Sequence, residues 1–427
     1  MTVDLDIDAL TIGGRGLGRH AGQAVFVPGT APGDLARCRI VRRHTRYAEA
    51  ELVELLVAAP ERRPAPCPVF GQCGGCQWQH LPYSVQAAWK ERLFRDQLLR
   101  AGVASAEVLR PLAAAPQEWA YRNRLQFKCR QTAHGFVAGF YRHASHYVID
   151  TPQCLLARPA IQQCYTSLRR VLPTAPHPEA LPQFDLSCSD SGAVAVLLHA
   201  LPEGADAALC DWLTAAARAG GYAAALQCGR KTSIRPLLGQ TCLTTTVDEP
   251  PLSLRVGIGG FAQVNPEQNR RLVAAVIAAA ALTGSERVLD LYCGVGNFTL
   301  ALARRAAAVV GVESFAPAIA DALANAARAA LGNVAFHAEP AEGAALRHGR
   351  FDLVLLDPPR TGAYPVMRDL LELRPRRILY VSCDPSTLVR DLQPLVHHGY
   401  AVTSAQPFDL FPQTWHIESL TVLDRVA

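Results

Sequence analysis

The chain has 427 residues, half of them hydrophobic and 19% charged, which is enough apolar material for two or three buried cores and excludes global disorder. Its longest apolar run, Leu272 to Leu282, is 11 residues, far short of the ~20 that a membrane-spanning helix needs. The acidic start MTVDLDIDAL lacks the basic region of a secretion signal, so the expectation is a cytoplasmic protein with no membrane and no obligate protein partner. Lys and Arg (42) exceed Asp and Glu (37) by only five, and net charge alone does not identify a nucleic-acid partner.

In chain order, the first ~58 residues read as short β segments, Leu10-Thr11-Ile12, Gln23 to Pro28, Leu35 to Arg42 and Ala48 to Leu56, divided by Gly-rich turns. That pattern fits a small β-barrel. Between Thr11 and Ala48 it carries seven arginines (Arg15, Arg19, Arg37, Arg39, Arg42, Arg43, Arg46) against one acid, Asp34. A Pro-rich hinge follows (Pro60, Pro64, Pro66, Pro68), then Cys67 to Cys76, then an amphipathic helix from about Ser84 to Gly102 with Trp89, Leu93, Leu98 and Leu99 among charges. From Trp119 to Ile149, Arg122, Arg124, Lys128, Arg130 and Arg142 meet no acid and are interleaved with Trp119, Tyr121, Phe127, Phe136, Phe140, Tyr141 and Tyr147. Such stretches suit single-stranded RNA, because cations neutralise phosphate while rings stack on unpaired bases; a solvated basic face over core aromatics would read the same way.

From about residue 286 the pattern becomes regular. Apolar runs (Val288 to Leu291, Val309 to Val312, Val334 to Phe336, Leu353 to Leu356, Ile378 to Val381) alternate with helical stretches, as in βαβ units with a parallel sheet. Two last strands, near Ala401 to Ser404 and His416 to Leu423, lack a helix between them, so one is expected to run antiparallel. The first run continues as Asp290-Leu291-Tyr292-Cys293-Gly294-Val295-Gly296-Asn297, a Gly-x-Gly turn that lets backbone approach a ligand at the strand's carboxyl end. Glu313 closes the next strand 19 residues after Gly294, where an acid accepts hydrogen bonds from ribose hydroxyls. Thr299 replaces the third glycine of the dinucleotide fingerprint, which disfavours NAD and favours an adenosyl cofactor without pyrophosphate, S-adenosylmethionine. Asp357-Pro358-Pro359-Arg360 and Ser382-Cys383-Asp384-Pro385 follow the fourth and fifth strands. A cysteine there is chemically apt for uracil, whose carbon 5 is a poor nucleophile until a thiolate adds at carbon 6. The adduct must then lose its carbon-5 proton to a base, for which Glu418 on the last strand is a candidate.

These motifs resemble, in order, those of the RNA 5-methyluridine methyltransferase family, in its bacterial 23S rRNA branch. Asp8 to Val57, with Gly16-x-Gly18-Arg19 and Val25-Phe26-Val27-Pro28-Gly29, is similar to that family's TRAM domain, and Phe261-Ala262-Gln263-Val264-Asn265 and His416-Ile417-Glu418 complete the match. The resemblance implies an α/β protein: a Rossmann-like class I methyltransferase domain with a mostly parallel seven-stranded sheet, an OB-like RNA-binding barrel and a mixed α+β middle domain. Divided accordingly, residues 1–59 are the barrel, 60–262 the central domain and 263–427 the methyltransferase domain. It implies Cys383 as nucleophile, Glu418 as proton acceptor, and Gln263, Tyr292, Gly294, Gly296, Asn297, Glu313 and Asp357 around S-adenosylmethionine. Glu339-Pro340 departs from the pattern, since proline lacks the amide or acid that contacts adenine there. Amino-group methylation of adenine is set aside because no aromatic follows Asp357-Pro358-Pro359-Arg360, and DNA cytosine-C5 chemistry because the cysteine falls on a late strand. The rival readings are the same chemistry on tRNA and a non-catalytic RNA-binding iron–sulfur protein.

Thirteen cysteines in a chain read as cytoplasmic point to metal ligands or nucleophiles rather than disulfides. Cys67-x5-Cys73-x2-Cys76 brings three thiols together and needs a fourth ligand, for which Cys129, Cys154 and Cys164 are all open; zinc and iron–sulfur both suit four thiolates. The family resemblance implies a [4Fe-4S] cluster with Cys154 as the fourth ligand.

Overall fold

The computed structural model describes residues 1–229 and 233–426. Strands Thr2–Leu10, Gly16–His20, Gln23–Val27, Leu35–Arg43 and Tyr47–Val57 close into a barrel. Its first strand begins earlier than expected and Thr11 onward is turn. The alternation of Val3, Leu5 and Ile7, all buried, with Asp4, Asp6 and Asp8, all exposed, explains it: a strict period of two sends one set inward. Gly16 cannot be replaced cheaply, because a Cβ there would sit 2.1 Å from the Thr30 hydroxyl oxygen.

Residues 58 to 82 form no helix or long strand, yet their Trp78 is fully buried with Leu10, Ala31, Ala59 and Leu81, and its indole donates to the Gly14 carbonyl at 3.1 Å. Helix Tyr83–Arg100 follows. Its buried stripe is Gln86, Lys90, Phe94 and Leu98, at i, i+4 spacing, whereas Leu99 is exposed. The expected apolar face is therefore rotated, because the polar members find partners: Lys90 Nζ binds Asp409 at 2.7 Å and Gln86 donates to the Leu81 carbonyl and to Gln413. The middle of the chain is a seven-stranded mixed sheet ordered Ile234–Leu238, Ala223–Cys228, Val194–Ala200, Gln183–Cys188, Arg124–Thr132, Gly135–Tyr141, Val148–Asp150, with helices Pro159–Val171 and Ala207–Gly220 packed on it. Phe127 anchors that core, stacked 3.9 Å from Tyr165 and 5.1 Å from Phe184.

The C-terminal sheet is also seven-stranded, ordered Val334–Ala338, Ala308–Glu313, Arg287–Leu291, Leu353–Leu356, Arg377–Ser382, Glu418–Arg425, Tyr400–Phe408. Glu418–Arg425 is antiparallel to both neighbours, so it alone opposes the other six. The central strands are buried on both faces, Leu289, Leu291, Val354 and Leu356 in one core and Val288, Leu353, Leu355 and Leu379 in the other, which is why they read as continuous apolar runs. The long apolar run is helix Pro266–Ala280, capped by Asn265, whose side-chain oxygen accepts from Gln268 N. Hairpin Cys242–Thr246/Ser253–Gly257 packs Leu254 and Val256 into this same core. Among the described residues no helix is long and apolar enough to cross a membrane.

Candidate active site and cysteine centre

Strand order reverses between Arg287–Leu291 and Leu353–Leu356, which opens a crevice at the carboxyl ends of both strands. The turn there is held in left-handed backbone, with φ of 65° at Tyr292, 54° at Gly294 and 92° at Gly296. Cys293 N donating to Val312 O and Gly296 N to Cys293 O, each at 3.0 Å, hold it. A Cβ on Gly296 would press on Leu300 at 3.1 Å, whereas one on Gly294 would meet nothing within 4 Å, so space over Gly294 is open. Asp290 is fully buried beneath the turn. Its Oδ2 accepts the Thr299 hydroxyl at 2.5 Å and its Oδ1 has no partner among the described residues. Burial pushes its carboxyl up to about 8 against the pull of Thr299, with Asp357 and Glu313 adding to the rise.

Glu313 ends its strand as expected. Its Oε1 accepts Phe315 N at 2.8 Å and the Ser314 hydroxyl at 3.2 Å, which fixes the carboxylate beside the crevice. Asn297 exchanges a reciprocal pair of amide hydrogen bonds with Asn269 at 2.9 and 3.1 Å, tying the glycine turn to helix Pro266–Ala280. Gln263 is half-buried just ahead of that helix, in a segment pinned by Asn123 N donating to Val264 O at 2.9 Å and by Asn265 donating to Leu410 O at 3.3 Å. Glu339 does not reach for a ligand: Arg347 and His348 hold its carboxylate, at 2.8 and 2.5 Å.

Register brings the expected nucleophile and base together. Ser382 pairs with Ser419 across the antiparallel strands, so Cys383 and Glu418 occupy facing ends of neighbouring strands. Asp357 stands at the end of the next strand over, its N–H donating to Leu291 O at 3.3 Å. Glu418 is buried and Cys383 half-buried. Burial pushes the Cys383 thiol up to about 12, helped by the charges of Glu418 and Asp357 and opposed by Arg360. Burial likewise raises Glu418 well above the carboxylate range, and Asp357 to about 7. Arg360 favours the ionised form of both Cys383 and Glu418. The 13-residue helix Pro385–His397 starts immediately after, capped by Asp384 through Ser386 N at 2.8 Å, and its positive end also favours a thiolate.

Several members of this site were not singled out by sequence. Arg360 stood inside a quoted motif, but its partner was illegible: its Nη2 lies 3.1 Å from His416 Nε2, 56 residues away. Burial and then Arg360 hold His416 down to about 3, so it is neutral at physiological pH. The Pro359–Ala363 loop that carries Arg360 is fastened by Asp391, fully buried, whose Oδ2 accepts Ala363 N at 2.6 Å and the Tyr380 hydroxyl at 2.7 Å. Gly362 adopts φ 76°, and a Cβ there would fall 2.5 Å from Asp391. Asn269 carried no sequence signal beyond proximity to the motifs, and Thr299 was marked only as standing in place of a third glycine, not as the partner of Asp290.

Of the three thiols open for the fourth position, the structure brings Cys154 to Cys67, Cys73 and Cys76. All four line one cavity of about 60 Å³ with Phe70, Gln79 and Arg122, and each of Cys73, Cys76 and Cys154 feels the charge of others in the set. Cys129 and Cys164 are buried instead in the core of the middle sheet. Burial pushes Cys73 up to about 11 and Cys76 up to about 12, so the thiols stay protonated unless a cation binds. Backbone N–H groups already face the sulfurs, Gly75 N donating to Cys73 Sγ at 3.4 Å. Arg122 has no acid partner among the described residues, its Nε is buried without a hydrogen bond, and its charge reaches Cys154. A net-negative group bound to four thiolates is the kind of neighbour that such an orphaned donor calls for. The other gathering of metal-type ligands, His337, Glu339 and His348, has its carboxylate already held by Arg347 and His348.

A glycine turn at the switch point of a sheet whose strands, numbered in chain order, lie 3-2-1-4-5-7-6 defines a class I methyltransferase domain. Comparisons with known proteins sharpen this. The family described as tRNA (Uracil-5-)-methyltransferase matches residues 229–426 and the TRAM domain matches residues 1–53. The chain is 37% identical to the 23S rRNA (uracil(1939)-C(5))-methyltransferase RlmD of Alkalilimnicola ehrlichii, covering 99% of this chain and 97% of that one. It is 36% identical to the same-named protein of Pseudomonas putida, covering 98% and 93%. A solved structure of Pyrococcus abyssi tRNA (uracil-54, C5)-methyltransferase with S-adenosyl-L-homocysteine shares the fold, at 23% identity, with TM-score 0.76 over 99% of this chain and 100% of that one. The chain belongs to the S-adenosylmethionine-dependent RNA (uracil-C5)-methyltransferase family.

Proposed function

We propose that this chain forms 5-methyluridine in 23S rRNA, with Cys383 as nucleophile and Glu418 as base. The observation that carries the reading is the Ser382–Ser419 register, which sets the thiol and the buried carboxyl side by side with Asp357 and Arg360. In sequence, the Cys383 sulfur bonds to carbon 6 of the uracil, and the ring's electrons move to carbon 5 and the carbonyl oxygen. S-adenosylmethionine, when bound, supplies an electrophilic methyl carbon. Glu418 then removes the carbon-5 proton, the carbon–sulfur bond breaks, and the thiolate leaves. Arg360 favours the thiolate and the carboxylate that these proton transfers require. Because carbon 6 is covered in a stack, the uridine has to be turned out to reach Cys383.

Gln263, Tyr292, Gly294, Gly296, Asn297, Glu313 and Asp357 would hold the cofactor, the open space over Gly294 and the fixed Glu313 carboxylate supporting that assignment. Cys67, Cys73, Cys76 and Cys154 would hold a [4Fe-4S] cluster, a structural rather than a chemical part, since the methyl transfer needs no electron. The resemblance to the family, rather than the spacing, favours the cluster over zinc. The division into a barrel at 1–59, a central domain at 60–262 and a methyltransferase domain at 263–427 belongs to this reading, as does a cytoplasmic location. The full-length likeness to proteins named for 23S rRNA favours that substrate over tRNA. Mapping 5-methyluridine in rRNA and tRNA of a deletion strain, with and without the wild-type gene, tests it: a 23S uridine that gains its methyl group only with the gene is expected, and a tRNA uridine doing so instead rejects the substrate. Iron and sulfide bound in the wild type and lost in Cys76→Ser are expected for the cluster; zinc in their place refutes it.

A further inference from the structure

An open groove of about 510 Å³ lies on the outer side of the cysteine centre, lined by Gly74, Gly75, Lys128, Tyr141, Arg142 and His146 among others, and by no acidic residue. Local sequence builds it. Strand Gly135–Tyr141 ends in a tight turn closed by Arg142 N donating to Tyr147 O at 2.9 Å and Ser145 N to Arg142 O at 3.1 Å, which lifts Arg142 to His146 into solvent. The cysteine loop is laid against this strand end. Cys73 bridges to Arg142, and Gly74 N donates to Tyr141 O at 2.9 Å. That approach needs a glycine, since a Cβ on Gly74 would stand 3.0 Å from Tyr141 O and 3.1 Å from His143 N.

The cations of the groove face no acid among the described residues. Lys128 Nζ is hydrogen-bonded to the neutral Gln183 and lies 5.4 Å over the Tyr141 ring, and Arg142 lies 5.2 Å over Tyr147. Neither has an ion-pair partner among the described residues, and the nearby Asp150 is taken by Arg169. Tyr141 and Tyr147 are exposed, and His146 meets Tyr141 edge-on at 5.3 Å. The volume falls in the ~300–1,000 Å³ range of pockets that take a small-molecule-sized group. Acid-free cations set among exposed rings are what a phosphate and an unpaired base require together; an acidic peptide would satisfy the cations and leave the rings unused.

We propose that this groove is a second RNA-contact site, apart from the pocket at Cys383, which holds an unpaired nucleotide, with its phosphate on Lys128 and Arg142 and its base on Tyr141. It rests on the reading of the chain as an RNA enzyme and names where that RNA is gripped. The floor of the groove is the cysteine loop, so a group held by the four thiols would keep the RNA grip in shape without entering the chemistry.

The test uses the full-length holoprotein and a fluorescent twelve-nucleotide oligouridylate, read by anisotropy across a salt series, with a duplex RNA of equal length alongside. Arg142→Ala and Tyr141→Ala are each expected to weaken oligouridylate binding about tenfold. Arg142→Ala should also lower the salt slope by ~0.7, the share of one phosphate contact on a single strand, while Tyr141→Ala leaves the slope in place. Arg100→Ala, at a cation paired with Asp96 elsewhere on the surface, is the control and should not weaken binding. Affinity within twofold of wild type in both Arg142→Ala and Tyr141→Ala, with iron content retained, overturns the proposal, as does an equal loss on duplex and single strand for Tyr141→Ala. The readout is binding, so it stands even if no methyl group is transferred, and the two failures are distinguishable.

Discussion

The proposed catalytic edge of the C-terminal sheet and the basic surfaces of the barrel and middle sheet use charge in opposite ways. At the edge, Asp357, Glu418 and Cys383 are drawn out of water beside Arg360, and burial raises all three above their ordinary ranges. On the barrel and the middle sheet, cations stand in solvent. There the structure separates two groups that an Arg-rich stretch runs together. Arg37 is paired with Asp4 at 2.9 Å, Arg39 with Glu51 at 2.5 Å, and Arg15 with Glu49 at 3.1 Å, acids that lie outside the window in which the arginines were counted. Arg19, Arg42, Arg43 and Arg46 have no ion pair among the described residues, and they cluster where the Gly16–His20/Gln23–Val27 and Leu35–Arg43/Tyr47–Val57 hairpins meet; Arg43 reaches Gln23 at 3.2 Å. A count of basic residues therefore overstates what is available to phosphate, and only the cross-strand register shows which cations are free.

This contrast is sharpened by substitutions that separate rate from affinity. The largest effect belongs to Cys383→Ala, which should lower single-turnover methylation by at least ~10⁴-fold while RNA affinity persists; activity near wild type would remove the edge from the chemistry. The pH profile comes next. Burial and the charge of Asp357 raise Glu418 well above the carboxylate range, so the base keeps its proton at lower pH, and the single-turnover rate should rise with pH as Glu418 ionises. Arg360→Gln removes the cation that opposes the rise and should move that limb to higher pH; a profile flat from pH 6 to 9 in both forms would mean that neither carboxyl titrates in the rate. On the RNA side, Arg42→Ala with Arg46→Ala should raise the KM for RNA several-fold and lower the salt slope, with kcat little changed. Smallest of all, Arg37→Ala should change RNA affinity by less than about twofold, because its guanidinium already belongs to Asp4. An equal effect of Arg37→Ala and of Arg42→Ala with Arg46→Ala would erase the distinction between paired and free cations.

What was legible in the sequence follows from the range of the forces involved. The parallel strands and their glycine turn could be read because burial on both faces and left-handed backbone leave local marks, Val288 to Leu291 and Gly294-x-Gly296 among them, and the missing helix showed that one of the last two strands runs antiparallel without showing which. The first barrel strand was misplaced at Leu10-Thr11-Ile12, because the acids at Asp4, Asp6 and Asp8 obscured the alternation from Val3 to Ile7. Illegible were interactions between distant positions whose residue types give no hint of burial. Lys90 and Asp409, both fully buried and 319 residues apart, fasten the Tyr83–Arg100 helix to the segment leading into Glu418. Removing one partner of such a pair typically costs ~3–5 kcal/mol. The link of Arg360 to His416, and Asp391 beneath their loop, were hidden for the same reason.

The central claim is a bond between one sulfur and a pyrimidine ring, resolved by one carboxylate. Incubating the Glu418→Gln protein with substrate RNA and S-adenosylmethionine, digesting both polymers, and sequencing the crosslinked fragment by mass spectrometry reads that bond directly. The account predicts a peptide containing Cys383 joined to a methylated uridine, absent from Cys383→Ala; product released without any such adduct, or an adduct on another cysteine, would contradict it.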